Sequence, residues 1–311
     1  MAWFNFVNLY FRALWDLAAE LWLYFAIGFL IAGIVAEFVP KKMLMRYFGT
    51  NSVGTLLRAT LSGTVTSLCS CGAIPIAVTM RKGGASRAAA LTFMLAAPWA
   101  GFIQLAIFYR FLGFTRTAVV FVGALTVAFL TGIVLGHLED IGWFDGSSRL
   151  ETDSEAACGE PFSPEDLQTS SSLSLRIIRA LKEAWEAFLE LWKYLAFGLL
   201  LAAILKAFIP TTLVAGYLGG NAPFNPVFTA LPIAAAVELC SEGFSIFAGQ
   251  LHEMGATLAV VFVVVLVGVS TDFTELSVIL GKFGKRCVVA YLITATVLAL
   301  AFALMIQRMP L

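Results

Sequence analysis

The chain has 311 residues, a formal net charge of zero and a mean hydropathy of +0.89. Sixty percent of its residues are hydrophobic and only 13% are charged, about half the charged share of a soluble domain. This composition excludes a soluble globular protein, and the balanced charge gives no basis for nucleic-acid binding. Several apolar runs reach the roughly 20 residues that cross a bilayer, so the sequence predicts an all-α polytopic membrane protein.

Eight apolar segments follow one another along the chain. They are 20–39, 59–80, 86–110, 117–137, 187–209, 225–250, 256–280 and 286–306. Between the fourth and the fifth, residues 138–174 carry nine acidic residues and one basic residue, and this composition buries too little surface to fold. We therefore predict a first membrane repeat over 1–137, an acidic flexible linker over 138–174 and a second membrane repeat over 175–311. The second repeat would begin with an amphipathic helix lying at the membrane interface.

The two halves share sequence at a nearly constant offset. The tripeptide ELW at 20–22 recurs at 190–192, an offset of 170 residues, and CSCG at 69–72 corresponds to CSEG at 240–243, an offset of 171 residues. Several matches at one offset indicate a duplication, and repeated halves are common in transporters.

The distribution of Lys and Arg favours an arrangement in which 59–80 and 225–250 enter the membrane and return. Fourteen basic residues then share the side of the linker, against five on the other side. Each half would have three crossings, and an odd number inverts the second repeat relative to the first. If all eight segments cross, the basic residues divide nine against ten, so this alternative stays open.

The segment SLCSCGAIP at 67–75 places two thiols, a glycine and a proline inside an apolar run. On a regular helix, Cys69 and Cys71 would point about 200° apart, so they can share a site only where the chain is extended or turned. Gly72 permits unusual dihedral angles, and Pro75 lacks a backbone donor. We predict a broken helix or a hairpin tip near the membrane midplane, with Pro75 as a helix-breaking residue.

Thiolates bind soft metals, and thiophilic metalloids follow the same preference. The predicted substrate-binding residues are Cys69, Ser70, Cys71, Gly72, Cys240 and Ser241, with the three cysteines as ligands of a transported metal or metalloid. The alternative interpretation is that these cysteines are small packing residues. No resident cofactor is predicted.

Acidic residues inside apolar segments mark transport pathways or proton relays. Glu242 occupies the position equivalent to Cys71, and Glu238 lies one helical turn before it. Asp272 follows a Gly-containing stretch in segment 256–280. These three acids are predicted to exchange protons, because thiols must release protons to bind a metal. Glu275 could reach the interface.

Two further helix interruptions are predicted at equivalent depths in the two halves. The first is at Pro98, and the second is at Ser270 and Thr271, which align with the same stretch of the first half.

The motif CSCGAIP at 69–75, followed by RKGGAS at 81–86, resembles the signature of the predicted permease family that includes the ArsP and YraQ groups. The stretch CSE at 240–242 fits the second motif of that family. The resemblance implies a multi-span inner-membrane permease. Some members of the family resemble exporters of trivalent organoarsenicals, and others are linked to the export of copper or zinc.

These features predict a permease, and not an enzyme, that exports an organoarsenical, copper or zinc species in exchange for protons. Its partners would be the lipid bilayer and the small soft-metal or metalloid substrate, its linker would be cytoplasmic, and a homo-oligomer stays open. Two other functions also stay open. One is a permease for a sulfur compound or small anion, and the other is a membrane thiol–disulfide oxidoreductase with Cys69 and Cys71 as the redox pair.

Overall fold

The computed structural model describes residues 41–66, 68–99, 102–144, 226–237, 241–253 and 255–308, with isolated helical residues at 15, 26, 29–30 and 34 and between 179 and 192. All regular secondary structure in this part of the chain is helical. Within the described residues, three stretches are long and apolar enough to span a membrane: Gln104–Asp140, Leu258–Phe283 and Lys285–Gln307. The predicted all-α membrane protein is confirmed.

The described helices form two groups, one on each side of the predicted linker. The first group comprises α1 (Lys41–Phe48), α2 (Val53–Thr66), α3 (Ser70–Lys82), α4 (Arg87–Trp99) and α5 (Phe102–Asp140). The second comprises α6 (Pro226–Ala236), α7 (Ser241–Glu253), α8 (Leu258–Ser270), α9 (Phe273–Val278), a π-helical segment (Ile279–Phe283) and α10 (Lys285–Gln307). The long α5 is kinked at Gly113, where φ is 75°.

The helix of the first thiol segment is interrupted between α2 and α3. Cys69 precedes α3 in an extended conformation, with φ −64° and ψ 165°. The prediction of Pro75 as a helix-breaking residue is wrong, because α3 runs without interruption through Gly72 and Pro75. A proline inside a helix removes one backbone hydrogen bond, and a neighbouring packed environment can accommodate that loss.

The two other predicted interruptions lie at the C-terminal ends of the central helices, and residues 100 and 101, which follow α4, lie outside the described residues. Pro98 lies inside α4, one residue before the last residue of that helix. In the second half, α8 ends at Ser270, Thr271 caps it, and α9 begins at Phe273.

The N-terminal end of α2 and the C-terminal end of α3 lie together at the C-terminal end of α5, which we call the linker end. Asn51, just before α2, donates its side-chain N–H to Asp140 Oδ1 at 2.7 Å. The turn between α3 and α4 is held at the same place, because the Glu139 carboxylate accepts the backbone N–H groups of Arg87 and Ala88 at 3.1 Å each. The chain therefore enters from the linker end through α2 and returns to it through α3, which is a re-entrant course.

The corresponding turn of the second half lies at the opposite end of α5. His252, in the last turn of α7, has its Nε2 atom 2.9 Å from Nη1 of Arg116. Arg116 lies just after the kink at Gly113 and Glu139 lies near the C-terminus of α5, so the two residues stand near the two ends of the straight part of that helix, about 35 Å apart at 1.5 Å per residue. The α3–α4 and α7–α8 turns thus face opposite ends of the helix bundle.

The helix boundaries of the two halves correspond at an offset of 171 residues. Ser70–Lys82 corresponds to Ser241–Glu253, and Arg87–Trp99 corresponds to Leu258–Ser270. The turn glycines Gly84 and Gly255 have the same φ of 95°. The internal duplication stays a prediction, and this correspondence of helices and turns supports it.

The core is built around α4 and α8, in which every residue is buried. α4 packs against α2, α3 and α5, and α8 packs against α6, α7 and α10. Large apolar side chains instead remain exposed on one face of α10, at Val289, Ile293 and Val297. An apolar outer face is expected where a helix meets lipid.

The first residues of the predicted linker 138–174 are structured. α5 continues through Asp140, and a turn follows that ends with the buried residue Phe144. Residues 145–174 lie outside the described residues, as does most of the predicted interfacial helix. Within that helix, Lys182 and Glu186 form an exposed ion pair of 3.6 Å at helical spacing.

Candidate functional site

Cys69 lies at the interruption that separates α2 from α3. Only 1% of its surface is exposed, and the neighbouring Ser70 is also buried. No side chain caps the N-terminus of α3 at Cys69. A helix N-terminus presents backbone N–H groups and a partial positive charge, so it favours negative charge on a nearby group. The thiol of Cys69 therefore lies beside an electrostatic environment suited to a thiolate or an anionic ligand.

Several predicted site residues lie wholly or partly outside the described residues. The backbones of Cys71 and Glu242 belong to α3 and α7, but their side chains lie outside the described part of the structure. Glu238 and Cys240 lie outside it entirely. Ser241 is buried at the first position of α7, and Gly72 is buried in α3. The convergence of the three thiols therefore stays a prediction. Among the described residues, no group of three His, Cys, Asp or Glu residues is placed to hold a metal ion.

Asp272 is the N-cap of α9. Its Oδ1 atom accepts the backbone N–H of Thr274 at 2.7 Å, and the side chain is 9% exposed. The hydroxyl groups before it bond back to α8, because Ser270 Oγ and Thr271 Oγ1 donate to the Val267 carbonyl at 3.1 and 2.7 Å. Asp272 thus satisfies a backbone N–H at the start of α9, whereas the two hydroxyl groups add to the Val267 carbonyl, which already accepts the Thr271 backbone N–H at 2.9 Å.

Glu275 is buried inside the bundle, so the expectation that it reaches the interface is wrong. It lies in the first turn of α9 and is 1% exposed. Its Oε1 atom accepts the hydroxyl proton of Tyr291, a fully buried residue of α10, at 2.5 Å. Its Oε2 atom is also buried and has no hydrogen-bond partner among the described residues.

The Glu275–Tyr291 pair is the site feature that sequence reasoning missed. The two residues are 16 positions apart and belong to different predicted segments. The sequence feature that could have indicated this pair is the tyrosine inside the otherwise apolar segment 286–306, because a buried phenol usually requires a polar partner.

The element that carries Glu275 packs against the element that carries the thiol motif. α9 contacts α3, and the two central helices α4 and α8 also contact each other. The helix that follows the interruption of the first half and the helix that carries the buried acids of the second half therefore pack against each other. Such a pair of helices can combine soft ligands, backbone donors and protonatable groups.

Two other residues considered from sequence lie at the ends of the bundle. Cys287 is fully buried near the start of α10, within electrostatic reach of Arg87 and Glu139 at the linker end. His252 lies at the opposite end, where its Nδ1 atom is 2.9 Å from the Ala256 carbonyl and its Nε2 atom contacts Arg116. Both nitrogens of that ring are therefore engaged with protein groups.

Comparison with known proteins points to one class of protein. A family model described as a predicted permease, ArsP_1, matches residues 7–308. The UPF0718 protein YcgR of Bacillus subtilis is 27% identical over 284 residues, which cover 90% of this chain and 91% of the relative. A putative two-component membrane permease complex subunit of Streptococcus mutans is 24% identical over 288 residues, which cover 91% and 90%.

A third relative matches over a shorter stretch. The UPF0718 protein MJ0584 of Methanocaldococcus jannaschii is 32% identical over 114 residues, which cover 34% of this chain and 30% of the relative. No solved structure matches the chain.

Proposed function

We propose that this chain, which belongs to the predicted permease family ArsP_1 and is a multi-pass membrane protein, exports a thiophilic metal or metalloid species. The observation that carries the proposal is the burial of Cys69 at an interrupted helix inside the bundle. The substrate would be a trivalent organoarsenical, copper or zinc. The membrane would be the inner membrane, with residues 145–174 on its cytoplasmic side.

The thiols would form the binding site for the cargo. Cys69 supplies the first ligand, and Cys71 and Cys240 would supply the others. Soft sulfur ligands select soft ions over the hard cations that are abundant in cells. The backbone groups freed at the interruption, together with Ser70, Ser241 and Gly72, would line the same cavity, because unpaired backbone groups at membrane depth must face protein or water.

Proton exchange would couple binding to transport. Thiols release protons when they bind a metal, so a neighbouring carboxylate can accept them. Glu242 and Asp272 are the proposed acceptors, with Glu238 one turn away from Glu242. An acid buried in a membrane segment is costly unless it has such a function.

A second candidate substrate is a small anion or a sulfur compound. It is favoured by the N-terminus of α3, where the side chain of the N-cap residue Cys69 makes no capping hydrogen bond. Helix N-termini bind anions through backbone N–H groups and through the helix dipole. Transport that survives in a cysteine-free variant would favour this candidate over the thiophilic cargo.

The test compares two buried cysteines. A deletion strain is exposed to methylated arsenic(III), copper, zinc and mercury with and without the chain, and everted vesicles then measure uptake of the species that gives resistance. Cys69→Ser is expected to abolish uptake without loss of fold, since serine is a favourable residue before a helix. The control is Cys287→Ser, which removes a buried thiol at the linker end and should leave uptake intact. Normal uptake by Cys69→Ser would remove the binding role.

The assembly is a separate part of the proposal. The Streptococcus mutans relative is named as a subunit of a two-component complex, which adds a second kind of subunit to the predicted homo-oligomer. The native mass of the complex purified from its own membrane distinguishes these two assemblies.

A further inference from the structure

We propose that the carboxyl group of Glu275, held by the hydroxyl group of Tyr291, carries the proton that the permease exchanges for its cargo. This inference rests on the proposed function, because it takes transport to be coupled to protons. It adds to the acceptors Glu242 and Asp272 a residue pair that sequence reasoning did not select.

The position of Glu275 makes a purely structural role hard to account for. The residue lies within the span Leu258–Phe283 and is 1% exposed. A carboxyl group at such depth is destabilising, and in membrane proteins it usually serves ion or proton movement. A packing residue at this point in α9 would need no charge.

The hydrogen bonds of Glu275 leave one oxygen atom available. Oε1 is bonded to Tyr291, whereas Oε2 is buried and has no partner among the described residues. A buried oxygen without a partner loses its hydration and gains no hydrogen bond in return. Binding of a proton at Oε2 would neutralise the carboxylate and remove the larger cost of a buried charge.

Among the described residues, no positively charged group acts on Glu275. The groups that act on it are Tyr291 of α10 and Asp272 at the start of α9. Basic residues of the neighbouring elements lie toward the linker end, where Arg81 donates to the Ala85 carbonyl at 3.0 Å and Lys282 belongs to the π-helical segment. Within the part of the chain that the structure describes, no ion pair therefore holds Glu275 as an anion.

The same surroundings favour a proton over a metal cation. Hard metal cations require about six oxygen ligands, including several carboxylates or carbonyls. Glu275 and Asp272 are two acids, and no third metal-binding side chain joins them among the described residues. One free carboxylate oxygen is sufficient for a proton.

The elements that carry the proton site and the proposed cargo site pack against each other. α9 contacts α3, the helix that begins beside Cys69. A change of charge at Glu275 would act on the interface between these two elements. In each cycle one proton would bind to Oε2 from one side of the membrane and leave to the other, with no electron transfer.

The first experiment does not depend on the cargo. Infrared difference spectra between acidic and basic pH are recorded on the purified protein in lipid. We expect a band of a protonated carboxyl group that titrates in the wild type, disappears in Glu275→Gln and changes frequency in Tyr291→Phe, because the hydrogen bond to the carboxyl is lost. Glu253→Gln, which changes an exposed acid at the end of α7, should leave the band unchanged. Identical spectra for the wild type and Glu275→Gln would overturn the proposal.

The second experiment uses monomethylarsonous acid and Cu(I) as probes in proteoliposomes. Glu275→Gln is expected to lose accumulation driven by a pH gradient and to retain exchange of labelled for unlabelled probe without a gradient. Gradient-driven accumulation at the wild-type level in this variant would overturn the proposal. If the wild type transports neither probe, the proposed substrate class fails, and the infrared result alone decides whether Glu275 is the proton site.

Discussion

Asp272 illustrates how one residue can serve the fold and the transport site at once. Its carboxylate caps α9 through the backbone N–H of Thr274, and Thr274 is itself buried. Aspartate and asparagine are almost equally good N-caps, whereas alanine is poor. The capping role and a protonation role can therefore be separated by the choice of substitution.

We expect Asp272→Ala to lower the free energy of unfolding by about 1 kcal/mol, because the cap is lost. Asp272→Asn should keep the wild-type stability, because its side-chain oxygen can still accept the same N–H. Thermal unfolding in lipid nanodiscs measures both variants. If Asp272→Ala proved as stable as Asp272→Asn, the capping hydrogen bond would not contribute to the free energy of unfolding.

At the scale of the elements, the close approach of α2 and α4 depends on a missing side chain. A Cβ atom on Gly63 would lie 2.7 Å from the Phe93 carbonyl oxygen and 3.0 Å from Ala96 Cβ. A backbone oxygen cannot turn aside as a side chain can, so the two helices would have to separate. Gly54, on the same helix, has nothing within 4 Å of the corresponding position.

These two glycines form a matched pair for a packing experiment. Gly54→Ala and Gly63→Ala gain the same helix propensity, about 1 kcal/mol, because both lie within α2. Only Gly63→Ala adds an atom to a packed contact, at a cost of about 1–3 kcal/mol. We expect the two variants to differ by that amount in thermal unfolding. Equal stabilities would mean that α2 and α4 are not in contact at this point.

At the scale of the whole molecule, the two hairpin turns face opposite ends of α5. The contact of Glu139 with the start of α4 and the contact of Arg116 with the end of α7 place the turns there. An inverted pair of repeats would produce this arrangement, and inversion lets the two halves exchange conformations during transport.

Labelling of introduced cysteines tests this topology. Lys82 and Glu253 are both exposed and end α3 and α7, the corresponding helices of the two halves. In a background without native cysteines, Lys82→Cys and Glu253→Cys should react with a membrane-impermeant maleimide from opposite sides of the membrane. Ile141→Cys, which is exposed at the linker end, should react from the same side as Lys82→Cys. Reaction of Lys82→Cys and Glu253→Cys from one side would contradict the inverted arrangement.

The sequence alone determined the class of the protein and much of its local pattern. Long apolar segments with few charges can be stable only in lipid, so the all-α membrane fold followed from composition. An interruption of this segment was predicted from Gly72 and Pro75, although the structure places it at Cys69, before both residues. The helix interruption near Ser270 and Thr271 could also be predicted, because hydroxyl side chains can form hydrogen bonds with backbone groups.

Tertiary structure decided where the chain turns and which polar groups meet. Pro75 stays inside α3, because a local loss of one hydrogen bond is outweighed by the packing of a buried helix. The re-entrant course of α2 and α3 depends on contacts such as that of Asn51 with Asp140, whereas counts of basic residues describe only a tendency. Glu275 and Tyr291 meet because of the way the helices pack. A contact of 2.5 Å between residues 16 positions apart cannot be read from the periodicity of the sequence.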